Sequence, residues 1–358
     1  MTGLDAFGWN EALARHYEPW AGRPEVQPGR VLIEFNYLYR VHTTLGEVEV
    51  VLAGRLKHEA ASRSVLPAVG DWVVVRRRAD ESRGAIVAVL PRRSWFSRRM
   101  AGQVTDEQVV AANVDAVFIV MGLDADFSLR RLERYLLLAR ESGASPVVLL
   151  TKPDLAADPA ALAAEAAAVT GATPTHLINP RHNVGIEQVG RYLASGRTGA
   201  LLGSSGVGKS TIVNCLVGRD VRRTRDVRAS DSRGRHTTTH RELVVLPGGG
   251  LLIDTPGMRE LQLWDVEAAV DETFDDIRVL AEGCRFTDCR HRDEPRCAVK
   301  TAVAEGRLAE SRLASYLKLQ SELAHLARQR DERALLEEKR RAKVMGKALR
   351  KHVKARRG

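Results

Sequence analysis

One glycine-rich segment combines the residue types that bind a nucleoside triphosphate. Residues 203–210 read GSSGVGKS and fit the pattern G-x-x-x-x-G-K-S/T in full. In this pattern glycines let backbone N–H groups wrap phosphate oxygens, the lysine places a positive charge on the β- and γ-phosphates, and the last hydroxyl ligates Mg²⁺. The predicted phosphate-binding residues are Gly203, Ser204, Ser205, Gly206, Val207, Gly208, Lys209, Ser210 and Thr211.

A second motif lies about fifty residues downstream, where Asp254-Thr255-Pro256-Gly257 follows the apolar run LLI. A carboxylate at such a strand end can hold Mg²⁺ through water, while the N–H of Gly257 faces the γ-phosphate. The next residue is Met258, at the position where Ras-like enzymes carry a glutamine that orients the attacking water. Methionine cannot do this, so we expect slow intrinsic hydrolysis.

A third motif, Thr151-Lys152-Pro153-Asp154, follows the apolar run VVLL and predicts which base is bound. A carboxylate accepts hydrogen bonds from the adjacent N1–H and N2–H₂ of guanine, whereas adenine presents an acceptor at that edge. The motif therefore favours GTP over ATP. It usually begins with asparagine, and here Thr151 offers only a hydroxyl for tethering the loops.

The order of these loops is the reverse of that in ordinary GTPases, because the base-reading segment precedes the phosphate loop by about fifty residues. A circular permutation explains this order, and it is tolerated where the old termini lie close together at the surface. The permutation also sends the chain that follows Gly257 into a Cys/His segment. Nucleotide state could therefore be passed directly to that segment.

The Cys/His segment carries three thiols and one imidazole within fourteen residues, at Cys284, Cys289, His291 and Cys297. This donor set is enough for one closed tetrahedral Zn²⁺ site of the structural type. Such a cluster in a cytosolic protein favours a metal over disulfides. Cys215, the other cysteine, falls in the helix after the phosphate loop and is interpreted as a small buried hydrophobe.

Two patterns of apolar residues position these motifs. Between residues 29 and 99, four runs rich in β-branched and aromatic residues predict a small OB-like β-barrel, with an SH3-like barrel as the alternative; they are VLIEFNYLYRV, GEVEVVLAG, DWVVVRRR and AIVAVL. From Val114 onwards, buried strands alternate with helices expected over 128–142 and 159–170. This alternation predicts a central α/β P-loop domain with a parallel sheet.

We therefore expect a multidomain protein of five segments. They are an N-terminal extension over 1–28, an OB-like RNA-binding barrel over 29–100, a circularly permuted GTPase domain over 101–280, a zinc-binding domain with helices over 281–325, and a basic helical tail over 326–358.

The charge of the chain is concentrated at one end. The formal net charge of the 358 residues is +10, and residues 339–358 contain ten Lys and Arg and no acidic residue; elsewhere 55 − 10 = 45 basic residues balance 45 acidic ones. This tail predicts a polyanionic partner, most commonly nucleic acid, although a solvated helical tail stays possible. No apolar run reaches about 18 residues and no signal peptide is visible, so we expect a cytoplasmic protein without membrane contact.

In this combination of motifs the sequence resembles the ribosome small subunit-dependent GTPase A family. The resemblance covers about residues 28–325, through PAVGDWVVV, NVDAVFIV, RRLERYLLLA, VVLLTKPDL, GSSGVGKSTIVN, GRHTTTH, DTPGMRE and the Cys/His spacing. It implies GTP hydrolysis coupled to late maturation of the small ribosomal subunit, with rRNA as the partner of the basic segments. We expect turnover stimulated by the subunit and a monomer off the ribosome. In one departure, Asn179-Pro180 stands where relatives place a Ser-Ala base-backing loop.

Residues 234–239, GRHTTT, offer further groups for hydrolysis. Thr238 is a candidate Mg²⁺ ligand of the first switch, and His236 could orient water or instead face RNA or solvent. The resemblance favours a catalytic role for His236, together with Lys209 and Thr238. Two other functions stay open: an RNA-binding scaffold in which nucleotide is a structural switch, and a P-loop ATPase or kinase.

Overall fold

The computed structural model describes residues 3–35, 37–60, 62–77, 83–99, 107–204, 206–218, 241–254, 274–292 and 294–321. The chain divides into two compact units. The first contains residues 1–100 and 106–262, and the second contains residues 101–105 and 263–358. No helix within the described ranges is long and apolar enough to cross a membrane.

A closed five-stranded barrel occupies the N-terminal part of the first unit. Its strands are β1 (Val26–Phe35), β2 (Leu38–Thr43), β3 (Gly46–Leu52), β4 (Trp72–Arg76) and β5 (Gly84–Val89), with helix α2 (Gly54–Glu59) after β3. They pair in the order β1-β2-β3-β5-β4 and close through β4 on β1; only β3 and β5 are parallel. This is the OB topology, which confirms the predicted OB-like barrel.

The barrel interior is filled by alternate residues of its strands, as the period-2 pattern requires. The buried set is Val31, Tyr39, Val41, Val50, Leu52, Val73, Val75 and Ile86. The run VLIEFNYLYRV supplies two strands rather than one, because Tyr37 turns the chain with a positive φ of 66° and β2 then pairs antiparallel with β1.

The N-terminal segment packs onto this barrel. Helix α1 (Glu11–Tyr17) begins after Asn10, whose side chain accepts from the N–H of Leu13. The Phe7 ring stacks on His42 with a centroid distance of 3.9 Å, and Trp9 meets Trp72 edge-on at 5.0 Å. These contacts make the segment part of the folded unit.

The α/β domain follows, and it confirms the predicted P-loop architecture in permuted order. A hairpin of β6 (Trp95–Arg99) and β7 (Glu107–Ala112) precedes β8 (Ala116–Gly122), α3 (Leu129–Glu141), β9 (Ser145–Thr151), α4 (Pro159–Thr170), β10 (Thr175–Leu177), α5 (Ile186–Arg191), β11 (Thr198–Leu202), α6 (Lys209–Val217), β12 (Arg241–Val245) and β13 (Leu251–Asp254). The sheet order is β10-β9-β8-β11-β13-β12, and only the β12–β13 pair is antiparallel. The helices expected over 128–142 and 159–170 are α3 and α4.

The strands of the barrel and the sheet of the α/β domain are continuous. Strand β12 pairs with β13 on one side and with β1 of the barrel on the other, where Ile33 lies opposite Glu242. The barrel and the α/β domain thus share one eleven-stranded sheet.

A buried arginine holds the same junction. Arg30 of β1 is 1% exposed and donates to the carbonyls of Phe7, Gly70 and Asn113, the last two at 3.1 Å, and to the Thr198 hydroxyl at 2.9 Å. Burial lowers the pKa of its guanidinium to about 10, which leaves the side chain charged at neutral pH. One side chain therefore ties the N-terminal segment, the barrel and strand β11 together.

The second unit is helical where it is described. It contains α7 (Asp275–Ala281), α8 (Ala298–Ala304) and a helix α9 over residues 310–321. Buried side chains of this unit include Ile277 of α7, Val299 of α8, and Phe274 and Leu308 next to the helices. The Cys/His segment lies between α7 and α8, so helices flank it on both sides.

Candidate nucleotide-binding site and metal centre

The three predicted nucleotide-binding segments begin at one edge of the sheet. Strands β9, β8, β11 and β13 are successive parallel neighbours, so their carboxyl ends lie side by side. Thr151 ends β9, Leu202 precedes the phosphate loop at the end of β11, and Asp254 ends β13. Ligands of open α/β sheets bind outside these ends.

The phosphate loop has the backbone conformation that its glycines predict. At Gly203, with φ 154°, a Cβ would lie 2.3 Å from the carbonyl oxygen of Val120, so no larger residue fits beside β8. Gly208, with φ 101°, forms the entry to α6. The Lys209 ammonium donates to the carbonyl oxygens of Gly203 at 2.7 Å and of Ser204, and thus lies across the loop. Ser205 is outside the described residues.

Helix α3 supports the phosphate loop from the side. The Arg131 guanidinium lies 2.5 Å from the Ser204 hydroxyl and 2.5 Å from the Asp126 carboxylate. No sequence motif predicts a role for this arginine. Only its place in the run RRLERYLLLA could have drawn attention to it, because the contact joins residues 73 positions apart.

Thr151 connects the base-reading segment to the phosphate loop. Its side chain is buried, and its hydroxyl donates to the carbonyl oxygen of Val207 at 2.7 Å while lying 3.3 Å from that of Met121. The hydroxyl therefore makes a tether of the kind expected from a threonine in the position of the usual asparagine.

Lys152 links the same segment to the end of β8. It has a positive φ of 58°, and its ammonium lies 2.5 Å from a carboxylate oxygen of Asp124. This hydrogen bond lowers the pKa of Asp124 below its ordinary value. Both side chains are about three-quarters buried, with exposed fractions of 25% and 22%. The pair fixes the backbone on which Asp154 stands.

Asp154 is exposed and is held by the loop that departs from the family pattern. The Asn179 side-chain amide donates to Oδ1 of Asp154 at 2.9 Å. Pro180 is buried, and its carbonyl oxygen accepts from the Cys215 thiol at 3.2 Å. Burial raises the pKa of that thiol. The Cys215 side chain packs against the domain core, which confirms its predicted hydrophobic role, but it is half-buried and not fully buried as predicted.

Some predicted site residues fall outside the ranges given above. Thr238, His236, Gly257 and Met258 lie outside the described residues, as does the basic tail over 339–358. Asp254 is placed through its backbone, where it pairs with Glu242 at the end of β13.

The four predicted metal ligands converge in the second unit. The donor atoms of Cys284, Cys289, His291 and Cys297 all lie within 4.8 Å of one another. Nδ1 of His291 is 3.4 Å from Cys297 Sγ and 3.7 Å from Cys284 Sγ, and these two sulfurs are 3.9 Å apart. A tetrahedral site with Zn–S bonds of about 2.3 Å requires sulfur–sulfur separations of about 3.8 Å. The donor set therefore fits one closed tetrahedral metal site.

The surroundings of the cluster suit metal binding and present positive charge. His291 is 5% exposed, and burial lowers the pKa of its imidazole, which favours the neutral form that ligates metals. The exposed arginines between the ligands are Arg285, Arg290, Arg292 and Arg296.

Comparisons with known proteins agree with this geometry. The family model described as RsgA GTPase matches residues 89–264. The small ribosomal subunit biogenesis GTPase RsgA of Opitutus terrae is 48% identical over 337 residues, which are 92% of this chain and 92% of the relative. The protein with the same description from Leptospira interrogans is 38% identical and covers 98% of this chain and 97% of its own length.

Solved structures give the same answer for the fold. YjeQ from Thermotoga maritima matches with a TM-score of 0.61 at 28% identity, over 84% of this chain and 99% of its own. YloQ, described as a circularly permuted GTPase, matches with a TM-score of 0.60 at 24% identity, over 84% of this chain and 96% of its own. With nearly half of its sequence shared with a relative of almost equal span, the chain belongs to the RsgA GTPase family.

Proposed function

We propose that this protein is a GTPase that binds the small ribosomal subunit and hydrolyses GTP during late subunit maturation in the cytoplasm. The observation that carries the nucleotide-binding part of the proposal is the Thr151 hydrogen bond to Val207, which joins the base-reading segment to the phosphate loop at the sheet edge. The relatives described as small ribosomal subunit biogenesis GTPases match across nearly the whole chain and support the same function.

GTP is bound by three segments of the proposed site. Lys209 leaves the carbonyl oxygens of its own loop and binds the β- and γ-phosphates, and the backbone N–H groups of residues 203–211 surround them. Asp154 accepts from the guanine edge. Ser210 and Thr238 would hold Mg²⁺, with Asp254 acting through water, and the ion would neutralise charge on the phosphates.

Hydrolysis depends on a group that the position after Gly257 does not supply. Met258 can neither donate nor accept usefully, so intrinsic turnover is slow. His236 orients the attacking water when the subunit has positioned the segment that carries it. The alternative role for His236 is contact with RNA or solvent.

The remaining segments bind the partner. The Cys/His cluster holds one structural Zn²⁺, and the exposed arginines between its ligands contact rRNA. The OB-like barrel over 29–100 and the tail over 326–358 provide further rRNA contacts; in the sequence they precede and follow the GTPase domain over 101–280 and the zinc domain over 281–325. The protein is a monomer off the ribosome.

Phosphate release from GTP, with and without purified small subunits, tests the function. The subunits should stimulate turnover of the unmodified protein, and His236→Ala should lower stimulated turnover without changing nucleotide affinity. Asp154→Asn should lower the affinity for GTP and raise the affinity for xanthosine triphosphate, because the amide can donate to the carbonyl oxygen at position 2 of xanthine.

Each alternative has its own result. Absence of stimulation favours the RNA-binding scaffold, and competition by ADP as strong as that by GDP favours the ATPase or kinase. Unchanged stimulated turnover of His236→Ala would assign that residue to RNA or solvent contact.

A further inference from the structure

The side chain of Asn179 places a hydrogen-bond donor next to the base-reading carboxylate of Asp154. Its amide nitrogen lies 2.9 Å from Oδ1 of Asp154. An ionised carboxylate has only acceptors, so the amide nitrogen and not the amide oxygen must face it. This nitrogen carries two hydrogens, and the contact with Asp154 uses one of them.

The backbone of Asn179 and Pro180 has no free N–H group to donate to a ligand. The N–H of Asn179 donates to the carbonyl oxygen of Val184 at 2.9 Å, and the N–H of Val184 donates back at 3.0 Å. Pro180 has no N–H. Neither Asn179 nor Pro180 therefore presents a backbone donor. Of these two residues, only the side-chain amide of Asn179 can donate to a ligand beside the Asp154 carboxylate.

Donor and acceptor order matches guanine at three successive atoms. The Watson–Crick edge of guanine presents the O6 acceptor, then the N1–H donor, then the N2–H₂ donor. The protein presents the amide N–H of Asn179 and then the two carboxylate oxygens of Asp154. Adenine presents a 6-amino donor and then the N1 acceptor, so it opposes like to like at both positions.

We propose that Asn179 is a further specificity-determining residue, whose second amide N–H donates to O6 of guanine while Asp154 accepts from N1–H and N2–H₂. The proposal rests on GTP being the nucleotide. Asp154 is exposed and Asn179 is partly exposed, so both can reach a base. Asn179 thus takes over a contact that the proline at position 180 cannot make through its backbone.

The experiment measures the affinities of GDP, 6-thio-GDP and IDP for the full-length protein by calorimetry. Sulfur is a weaker acceptor than oxygen at position 6, and IDP lacks the N2 amine that only Asp154 reads. Asn179→Ala removes both amide contacts, whereas Asn179→Ser keeps a hydroxyl that can still donate to Asp154. His182→Ala, an exposed change in the same loop, is the control.

The unmodified protein should prefer GDP to 6-thio-GDP by about 3–10-fold, the range of one net hydrogen bond. Both Asn179 variants should reduce this preference to about 1, with 6-thio-GDP affinity nearly unchanged in Asn179→Ser. The preference for GDP over IDP should persist in Asn179→Ser, because Asp154 stays in position. His182→Ala should keep every ratio.

Equal losses of GDP and 6-thio-GDP affinity in both variants would overturn the proposal, leaving Asn179 to orient Asp154 and a backbone donor, such as the N–H of Arg181, to read O6. Tighter binding of 6-thio-GDP to Asn179→Ala than to the unmodified protein would also overturn it, since the preference would then be steric. Failure of the proposed function itself would appear earlier, as an unmodified protein that does not prefer GDP to ADP.

Discussion

Replacing Arg30 by methionine should destabilise the first unit, because it removes the guanidinium donors from a buried junction while a long unbranched side chain still fills the space. The guanidinium serves three carbonyl oxygens and the Thr198 hydroxyl. The carbonyl oxygen of Gly70 retains a second donor, Nδ2 of Asn113 at 3.1 Å. Those of Phe7 and Asn113 lose the Arg30 donor.

The magnitude follows from these two carbonyls. An acceptor left unpaired in a buried site costs about 1–3 kcal/mol. The variant also removes the cost of burying a charge, which lowers the pKa of Arg30, and this gain offsets part of the loss. We expect the unfolding free energy to fall by about 2–4 kcal/mol, and the melting temperature by about 5–15 °C for a unit of this size.

Urea unfolding followed by tryptophan fluorescence is a suitable assay, because the Arg30 guanidinium lies 5.3 Å from the ring of buried Trp72. Arg40→Met is the control: it makes the same change on β2 of the same barrel, where the side chain is exposed, and should leave stability unchanged. If Arg30→Met unfolds at the same urea concentration as the unmodified protein, the junction contributes no net stability and the reasoning is wrong.

Three further changes test other parts of the molecule. Thr151→Val should lower GTP affinity by about 3–10-fold, because the hydrogen bond to the Val207 carbonyl is lost. Nucleotide titration measures this affinity, and an unchanged value would show that the tether is dispensable. Cys289→Ala should abolish stoichiometric metal in elemental analysis while Cys215→Ala retains it, and an unmodified protein without metal would contradict the site. Deleting residues 339–358 should weaken binding to small subunits and reduce its salt slope by about 0.7–0.9 per lost phosphate contact, without changing GTP affinity; an unchanged slope would make the tail a solvated extension.

The sequence predicts best those features whose chemistry is local. The phosphate loop is one such feature, since the eight consecutive residues 203–210 supply its glycines, its lysine and its hydroxyl. The metal ligands are another, because fourteen consecutive residues contain all four. The hydroxyl of Thr151 was expected to tether loops, and its partner in the structure is Val207.

Features that depend on distant pairs could not be predicted in this way. Arg30 reaches Thr198 across 168 positions, and Arg131 reaches Ser204 across 73. Neither pair leaves a spacing pattern in a single sequence. Asn179 was recognised only as a departure from the family pattern, because its contact with Asp154 depends on how a loop 25 positions away folds back.

Strand β12 is held on both sides, which restricts sliding of this strand relative to the barrel and the α/β sheet. The chain between α6 and β12 carries His236 and Thr238, and it ends on a strand that is hydrogen-bonded on both sides. A slip of β12 by one residue would turn the buried Leu243 out of the core and break pairs with β1 and β13 together. Strand β12 therefore anchors the chain that follows Thr238, and sliding of this strand cannot carry a change at His236 or Thr238 into the barrel.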